Sequence, residues 1–277
     1  MSNFCYLNGK ILPFDKAFLN LDDLGMLRGY GAFEVLKTVN GKIFLFNEHF
    51  NRLVKSSEYL GIKPPLKKSE IEEVIKKLIF KNKIKQAAIR IVLTGGRSAD
   101  FISFNSNLPT FYILVSEYEP LRGRLYEKGV RVISLDFARQ NHLFKTTNYL
   151  NAVKIVHERQ KKEKFFEILY TNNGNVLECS TSNFFMFFGD KLITPQDGIL
   201  HGVTKNLIVE LTKNAFTVLE KPIKFENLNS ASECFITATN KDILPVVKID
   251  DKIIGNGKPG ENTKKLMKIL REFMEKY

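Results

Sequence analysis

A chain of 277 residues with 44% hydrophobic and 12% aromatic content has room for two ordinary domains and is too apolar to be disordered. Its net charge of +12 raises nucleic acid as a partner, but the 32 lysines far outnumber the 10 arginines and scatter over helix-like faces such as "KKSEIEEVIKK" and "ERQKKEK". With no stripe of arginine interleaved with aromatics, no apolar run near the roughly 20 residues of a membrane span and no secretory leader, the reading is no nucleic acid, no membrane and a cytoplasmic setting.

Along the chain, "FCYLNGKILPF" predicts a hairpin turning at Asn8-Gly9, and "FEVLKTVNGKIFLF" a second turning at Asn40-Gly41. "NEHFNRLVKSSEYLGI" has helical spacing through Phe50, Leu53, Val54 and Leu60. A helix over 69–83 is marked by a Ser69/Glu72 capping box and by Ile71, Val74, Ile75, Leu78 and Ile79. "AAIRIVLTGG" and "FYILVSEY" read as strands, after which periodicity lapses around 116–124. That lapse divides the chain into an N-terminal α/β domain (1–118), a linker (119–124) and a C-terminal domain (125–277).

The second domain opens with the strand "GVRVISLDF" and a helix to about 163. Two hairpins turn at "NNGN" and at Gly189-Asp190; a helix over 204–216, the strands "CFITATN" and "LPVVKID", and a last helix from about 260 complete it. Many hairpins and few crossovers predict an α+β protein rather than a doubly wound sheet. Gly29 and Gly31 have no third glycine at the dinucleotide offset. Cys5, Cys179 and Cys234 are far apart, and the four histidines show no zinc spacing, so no metal is expected.

Four stretches carry candidate chemistry. Lys145, in "LFKTTNYLN", stands between a strand-like and a helical run, where a side chain is held rigidly yet reaches a cleft. An amine nucleophile must be unprotonated, and desolvation favours that form. Glu178, in "NVLECSTSNFF", is an acid among apolar neighbours and needs a partner such as a protonated pyridine nitrogen. "GILHGVTKN" leads into a helix whose first turn and Thr204 suit a phosphate dianion, and Arg52 of "NEHFNRLVK" offers a bidentate grip on it. Taken singly, Lys145 also reads as a surface lysine, Glu178 as an edge-strand carboxylate, Thr204 as a plain N-cap and Arg52 as a solvated helix residue.

The ordered set "EHFNRL", "KTTNYLNA", "ECSTSNFF", "ILHGVTKN" and "ITATNKDI" resembles the class IV aminotransferases, pyridoxal-phosphate enzymes of fold type IV, over nearly the whole chain. The resemblance implies a two-domain fold type IV architecture with pyridoxal 5'-phosphate as cofactor and amino acids and 2-oxo acids as substrates. It also implies a homodimer with active sites at the interface. Lys145 would bond the cofactor aldehyde and, once released, carry the substrate's proton. Glu178 would pair with the pyridine nitrogen. Arg52, Val203, Thr204, Thr239 and Asn240 would form the phosphate cup, Leu200 would pack on the ring, and Tyr149 would approach its phenolic oxygen.

Within that family, the short "KTTNY" spacing and the Ser/Thr run after Glu178 look more like the D-amino-acid group than the branched-chain group. Phe33 stands where the best-known D-amino-acid enzymes carry a tyrosine, and the loop "GGRSADFIS" keeps Arg97 but lacks their histidine. Arg28 and Arg90, each in an apolar segment, are the replacement candidates for holding substrate carboxylates, as in a less typical branch of D-amino-acid transaminases. The expectation is therefore a D-amino-acid transaminase. A branched-chain L-amino-acid aminotransferase, a 4-amino-4-deoxychorismate lyase and a non-enzymatic basic binding module are the alternatives.

Overall fold

The computed structural model describes residues 3–277 and divides into two compact units. The first comprises residues 3–119, Phe144–Tyr149 and Tyr277, and the second Pro120–Leu143 and Leu150–Lys276. Lys145 thus belongs with the first unit, whereas the expected division kept it in the second.

The first unit contains β1 (Phe4–Leu7), β2 (Lys10–Pro13), α1 (Leu24–Arg28), β3 (Gly31–Val39), β4 (Lys42–Ile43), α2 (Phe46–Tyr59), α3 (Lys68–Lys81), β5 (Ala87–Thr94) and β6 (Thr110–Glu117). Its strands form one antiparallel sheet ordered β2-β1-β6-β5-β3-β4. Both expected Asn-Gly turns are present, with Asn8 and Gly9 at φ 44° and 92° and Asn40 and Gly41 at 49° and 77°. These are the left-handed values that let a two-residue loop match the strands' twist.

Alternation sends Ala32, Leu36, Ile89, Ile91, Phe111 and Ile113 to one face, where they bury against Leu53 of α2 and Ile71, Ile75 and Leu78 of α3. Phe33, Arg90, Val92 and Tyr112 take the other face. The N-cap of helix α3 is Lys67, two residues before the expected Ser69. Glu70, rather than Glu72, reaches back to accept the Lys67 N–H at 2.6 Å, because the chain already turns helical at Lys68.

The second unit contains α4 (Gly123–Lys128), β7 (Val130–Asp136), α5 (Leu150–Arg159), β8 (Glu167–Asn172), β9 (Asn175–Cys179), β10 (Asn183–Phe188), β11 (Lys191–Thr194), α6 (Val203–Thr212), β12 (Thr217–Glu220), β13 (Ile223–Lys224), β14 (Glu233–Ala238), β15 (Asp242–Ile249), β16 (Lys252–Ile253) and α7 (Glu261–Lys276). The sheet runs β12-β11-β10-β14-β15-β7-β8-β9-β13, with β16 beside β15. One face packs Phe185, Phe187 and Phe235 against α6 and α7; the other buries Val132, Phe184, Ile236 and Leu244. Both expected hairpins are present, as β8–β9 and β10–β11; the parallel pairing of β7 with both β8 and β15, with α5 on the β7–β8 crossover, had no counterpart in the sequence reading. Helix α6 ends at Thr212, before the expected 216. No helix among the described residues is long and apolar enough to cross a membrane.

Ile75 is fully buried between α3 and the first sheet. Ile75→Ala is expected to cost about 2–5 kcal/mol through lost transfer energy and the cavity left behind. Urea unfolding measures it.

Candidate active site

In the first unit, Phe144–Tyr149 lies along β3. The Phe33 N–H donates to the Lys145 carbonyl at 3.1 Å, and the Thr147 N–H to the Gly31 carbonyl at 2.8 Å. An isolated bridge joins Ala32 to Thr146. The Lys145 N–H donates to Ser56 Oγ of α2 at 3.0 Å, and the Thr147 hydroxyl to the Gly29 carbonyl at 2.6 Å. The backbone of Lys145 is therefore fixed from two elements, and its half-buried side chain sets Nζ 4.5 Å from the Phe33 ring centroid. Tyr149 meets Phe33 edge to face at 5.7 Å, and the Arg90 guanidinium stands 5.8 Å from the same ring. Lys145, Tyr149 and Arg90 thus gather around the Phe33 ring.

Arg52 is more constrained than the sequence suggested. Glu34, fully buried on β3, accepts Arg52 Nε and Nη2 at 2.7 Å each and contacts His49 Nδ1 at 2.7 Å. A carboxylate only accepts, so His49 Nδ1 carries the proton in this pair. Burial alone would raise the Glu34 carboxyl; the Arg52 charge and hydrogen bonds, helped by His49, reverse that and hold it at about 2. Burial also lowers His49, against the pull of Glu34. Arg52 Nη1 takes no part in this pair. His49 and Arg52 share a helix face at i, i+3, and Glu34 breaks the apolar alternation of β3, a signal legible in sequence but not used.

Arg28, at the end of α1, is exposed and donates to the Leu27 carbonyl at 3.3 Å. Arg97, also exposed, is engaged by Asp22 through Nε and Nη2 at 3.1 to 2.9 Å.

In the second unit, Glu178 of β9 is buried and doubly held. Arg139 Nε donates to its Oε1 at 2.8 Å, and the Leu200 N–H to its Oε2 at 3.0 Å. Arg139 lies in an irregular stretch with no periodic signal, and sequence reasoning missed it. Leu200, Val203 and Thr204 are buried around the start of α6. Asn183 Nδ2 donates to the Leu200 carbonyl at 2.7 Å, and a Cβ at Gly202 would fall 2.0 Å from Asn183 Oδ1, so only glycine admits this approach. Thr239 and Asn240 form the turn between β14 and β15.

Two features fit a ligand that brings its own polar atoms. No side chain caps the N-terminus of α6, which leaves first-turn N–H groups for an anion. Among the described residues the buried Thr237 hydroxyl on β14 has no hydrogen-bond partner, and Thr237 is in register with Asn183. Together with the carboxylate of Glu178, this donor set suits a phosphorylated, protonated pyridine.

The amino-transferase class IV family model matches residues 31–249. A protein of Methanocaldococcus jannaschii with a provisional branched-chain-amino-acid aminotransferase name is 33% identical, covering 98% of this chain and 96% of its own length. The D-alanine aminotransferase of Bacillus licheniformis is 28% identical over 95% and 94%. The structure of the Escherichia coli branched-chain amino acid aminotransferase superposes with a TM-score of 0.92 at 22% identity, covering 99% of this chain and 95% of the other. The chain belongs to the class IV aminotransferases, whose cofactor is pyridoxal 5'-phosphate, and has the fold type IV architecture.

Glu34 titrates at about 2 when folded, against 4.5 for a free carboxyl. A depressed folded value contributes stability above the unfolded value that is lost as pH falls through the folded one. On the order of 3 kcal/mol should therefore disappear between about pH 4.5 and 2. Denaturation across that range should be visibly flatter for Glu34→Gln than for the native chain.

Proposed function

We propose that this aminotransferase moves the amino group of a D-amino acid to a 2-oxo acid such as 2-oxoglutarate. The observation that carries the reading is Arg90, an exposed guanidinium 5.8 Å from the same Phe33 ring that Lys145 Nζ approaches to 4.5 Å. Val35 and Leu114 are its partners across the sheet, and beside them a guanidinium does little for an aliphatic side chain. A substrate carboxylate makes two parallel bonds with it. The "KTTNY" and "ECSTS" patterns support the same reading by resemblance.

Bound pyridoxal phosphate supplies an aldehyde for the amine and an electron sink for the substrate's Cα bond. Lys145 Nζ would anchor the cofactor and, once released, would take the substrate's Cα proton, guided by a backbone that is already fixed. Glu178, oriented by Arg139 and the Leu200 N–H, would keep a proton on the ring nitrogen. Arg52 Nη1 in the first unit and, in the second, the first turn of α6 at Val203 and Thr204 and the Thr239–Asn240 turn would hold the phosphate, Leu200 would pack on the ring and Tyr149 would approach its phenolic oxygen. Phe33 and Arg90 hold the substrate.

The branched-chain L-amino-acid reading draws its support from the relatives, since the provisional branched-chain name stands at 33% identity and the D-alanine enzyme at 28%. D-alanine and D-glutamate compared with L-leucine as donors decide between them; turnover with L-leucine alone overturns the D-specific reading. Lys145→Ala is expected to lose both turnover and the covalently retained visible absorption of the cofactor. Arg90→Ala is expected to raise KM for the amino acid at least tenfold while leaving the cofactor dissociation constant within about twofold.

Assembly as a homodimer in the cytoplasm is part of the proposal. Phe18, Leu21 and Met26, in the segment that leads to Arg28, are 76%, 87% and 70% exposed, and large exposed apolar side chains are common at protein interfaces. Sedimentation is expected at twice 31.8 kDa, and Met26→Asp should shift it toward the single-chain mass. In that dimer Arg28 would serve the neighbouring subunit's site.

A further inference from the structure

Glu167 and Lys241 carry no role in the reaction as set out above, yet both are buried charges in the second unit. Lys241 closes the turn that presents Thr239 and Asn240. Its N–H donates to the Ala238 carbonyl at 3.0 Å, and the Tyr126 hydroxyl donates to its own carbonyl at 3.0 Å. Its Nζ donates to Glu167 Oε2 at 2.8 Å, Thr181 Oγ1 at 2.5 Å and Ser182 Oγ at 2.8 Å. An ammonium has three protons, and these three acceptors use them all.

Glu167 is equally occupied. Its Oε1 accepts from the Thr181 N–H, from Thr181 Oγ1 at 2.8 Å and from Ser180 Oγ at 3.2 Å, while Ser182 Oγ reaches Oε2 at 2.8 Å. Burial alone would raise this carboxyl; the charge and hydrogen bonds of Lys241, with Thr181 and Ser182, bring it below the ordinary range. A buried ion pair is seldom more stabilising than an apolar pair of the same volume. What this one adds is a fixed spacing between two remote turns, one directly after Glu178 and Cys179, the other at Thr239–Asn240.

We propose that Lys241 is a positioning residue whose ammonium clasps the 180–182 turn to the Thr239–Asn240 turn and so sets the geometry in which the cofactor's phosphate is held. The proposal rests on the assignment of Thr239 and Asn240 to the phosphate cup. Removing Lys241 alone strands the charge of Glu167 and lowers stability for that reason, so Lys241→Met is paired with Glu167→Gln/Lys241→Met, which removes both charges. Lys241→Arg keeps the charge but replaces three diverging donors with a planar fork, and it serves if either of the others fails to fold.

Dissociation constants for pyridoxal phosphate and for pyridoxal, which lacks the phosphate, are measured on the full chain stripped of cofactor, with its melting temperature alongside. The clasp predicts that the double variant regains the native melting temperature while its pyridoxal-phosphate constant stays at least tenfold weaker and its pyridoxal constant moves less than twofold. Recovery of native pyridoxal-phosphate affinity in the double variant, or equal weakening toward both ligands, reduces the pair to a structural role and overturns the proposal. Unchanged pyridoxal-phosphate affinity in Thr239→Ala instead removes the turn from the cup, a failure of the underlying assignment visible without any Lys241 variant.

Discussion

The main chain of Lys145 is held on both sides. The Phe33 N–H and Ser56 Oγ hold the lysine's carbonyl and amide, and Thr147 repeats the arrangement against Gly31 and Gly29. With those backbone groups satisfied, only the side chain has freedom left to lose on binding. The Phe33 ring, reached by Lys145, Tyr149 and Arg90, restricts that freedom further.

The same economy governs the charges. Glu34 is matched by Arg52 and His49, Glu178 by Arg139 and a main-chain amide, and Glu167 by Lys241 with a ring of hydroxyls. A buried carboxylate left alone would protonate or unfold its surroundings. Here each is paired and aimed, so little reorganisation is needed when a charged ligand arrives.

Much of this was legible in the sequence, for identifiable reasons. Asn-Gly pairs place hairpins because few residues tolerate two left-handed positions in a row, and both predicted turns formed. The motifs around Lys145, Glu178 and Thr204 gave the family, which the family model shows over residues 31–249. Partners from elsewhere in the chain were harder to find. Arg139 sits in a stretch without period, and Lys241 reads as one more lysine among 32 until the fold buries it. The parallel pairing of β7 with β8 and β15 was missed because register between distant strands leaves no local mark. The substrate group remains finer than motif spacing resolves, and relatives of both kinds align along nearly the full chain.

The assignment of Phe144–Tyr149 to the first unit means that this unit is not one continuous piece of polypeptide. A fragment ending at residue 119 would retain every strand of the first sheet but uncover the margin of β3 at Gly31–Phe33. That margin would then offer unsatisfied amide and carbonyl groups beside Ala32, a sticky border open to any extended peptide. Efforts to produce the amino-terminal half by itself should therefore meet self-association, and supplying the missing hexapeptide in trans is the natural remedy.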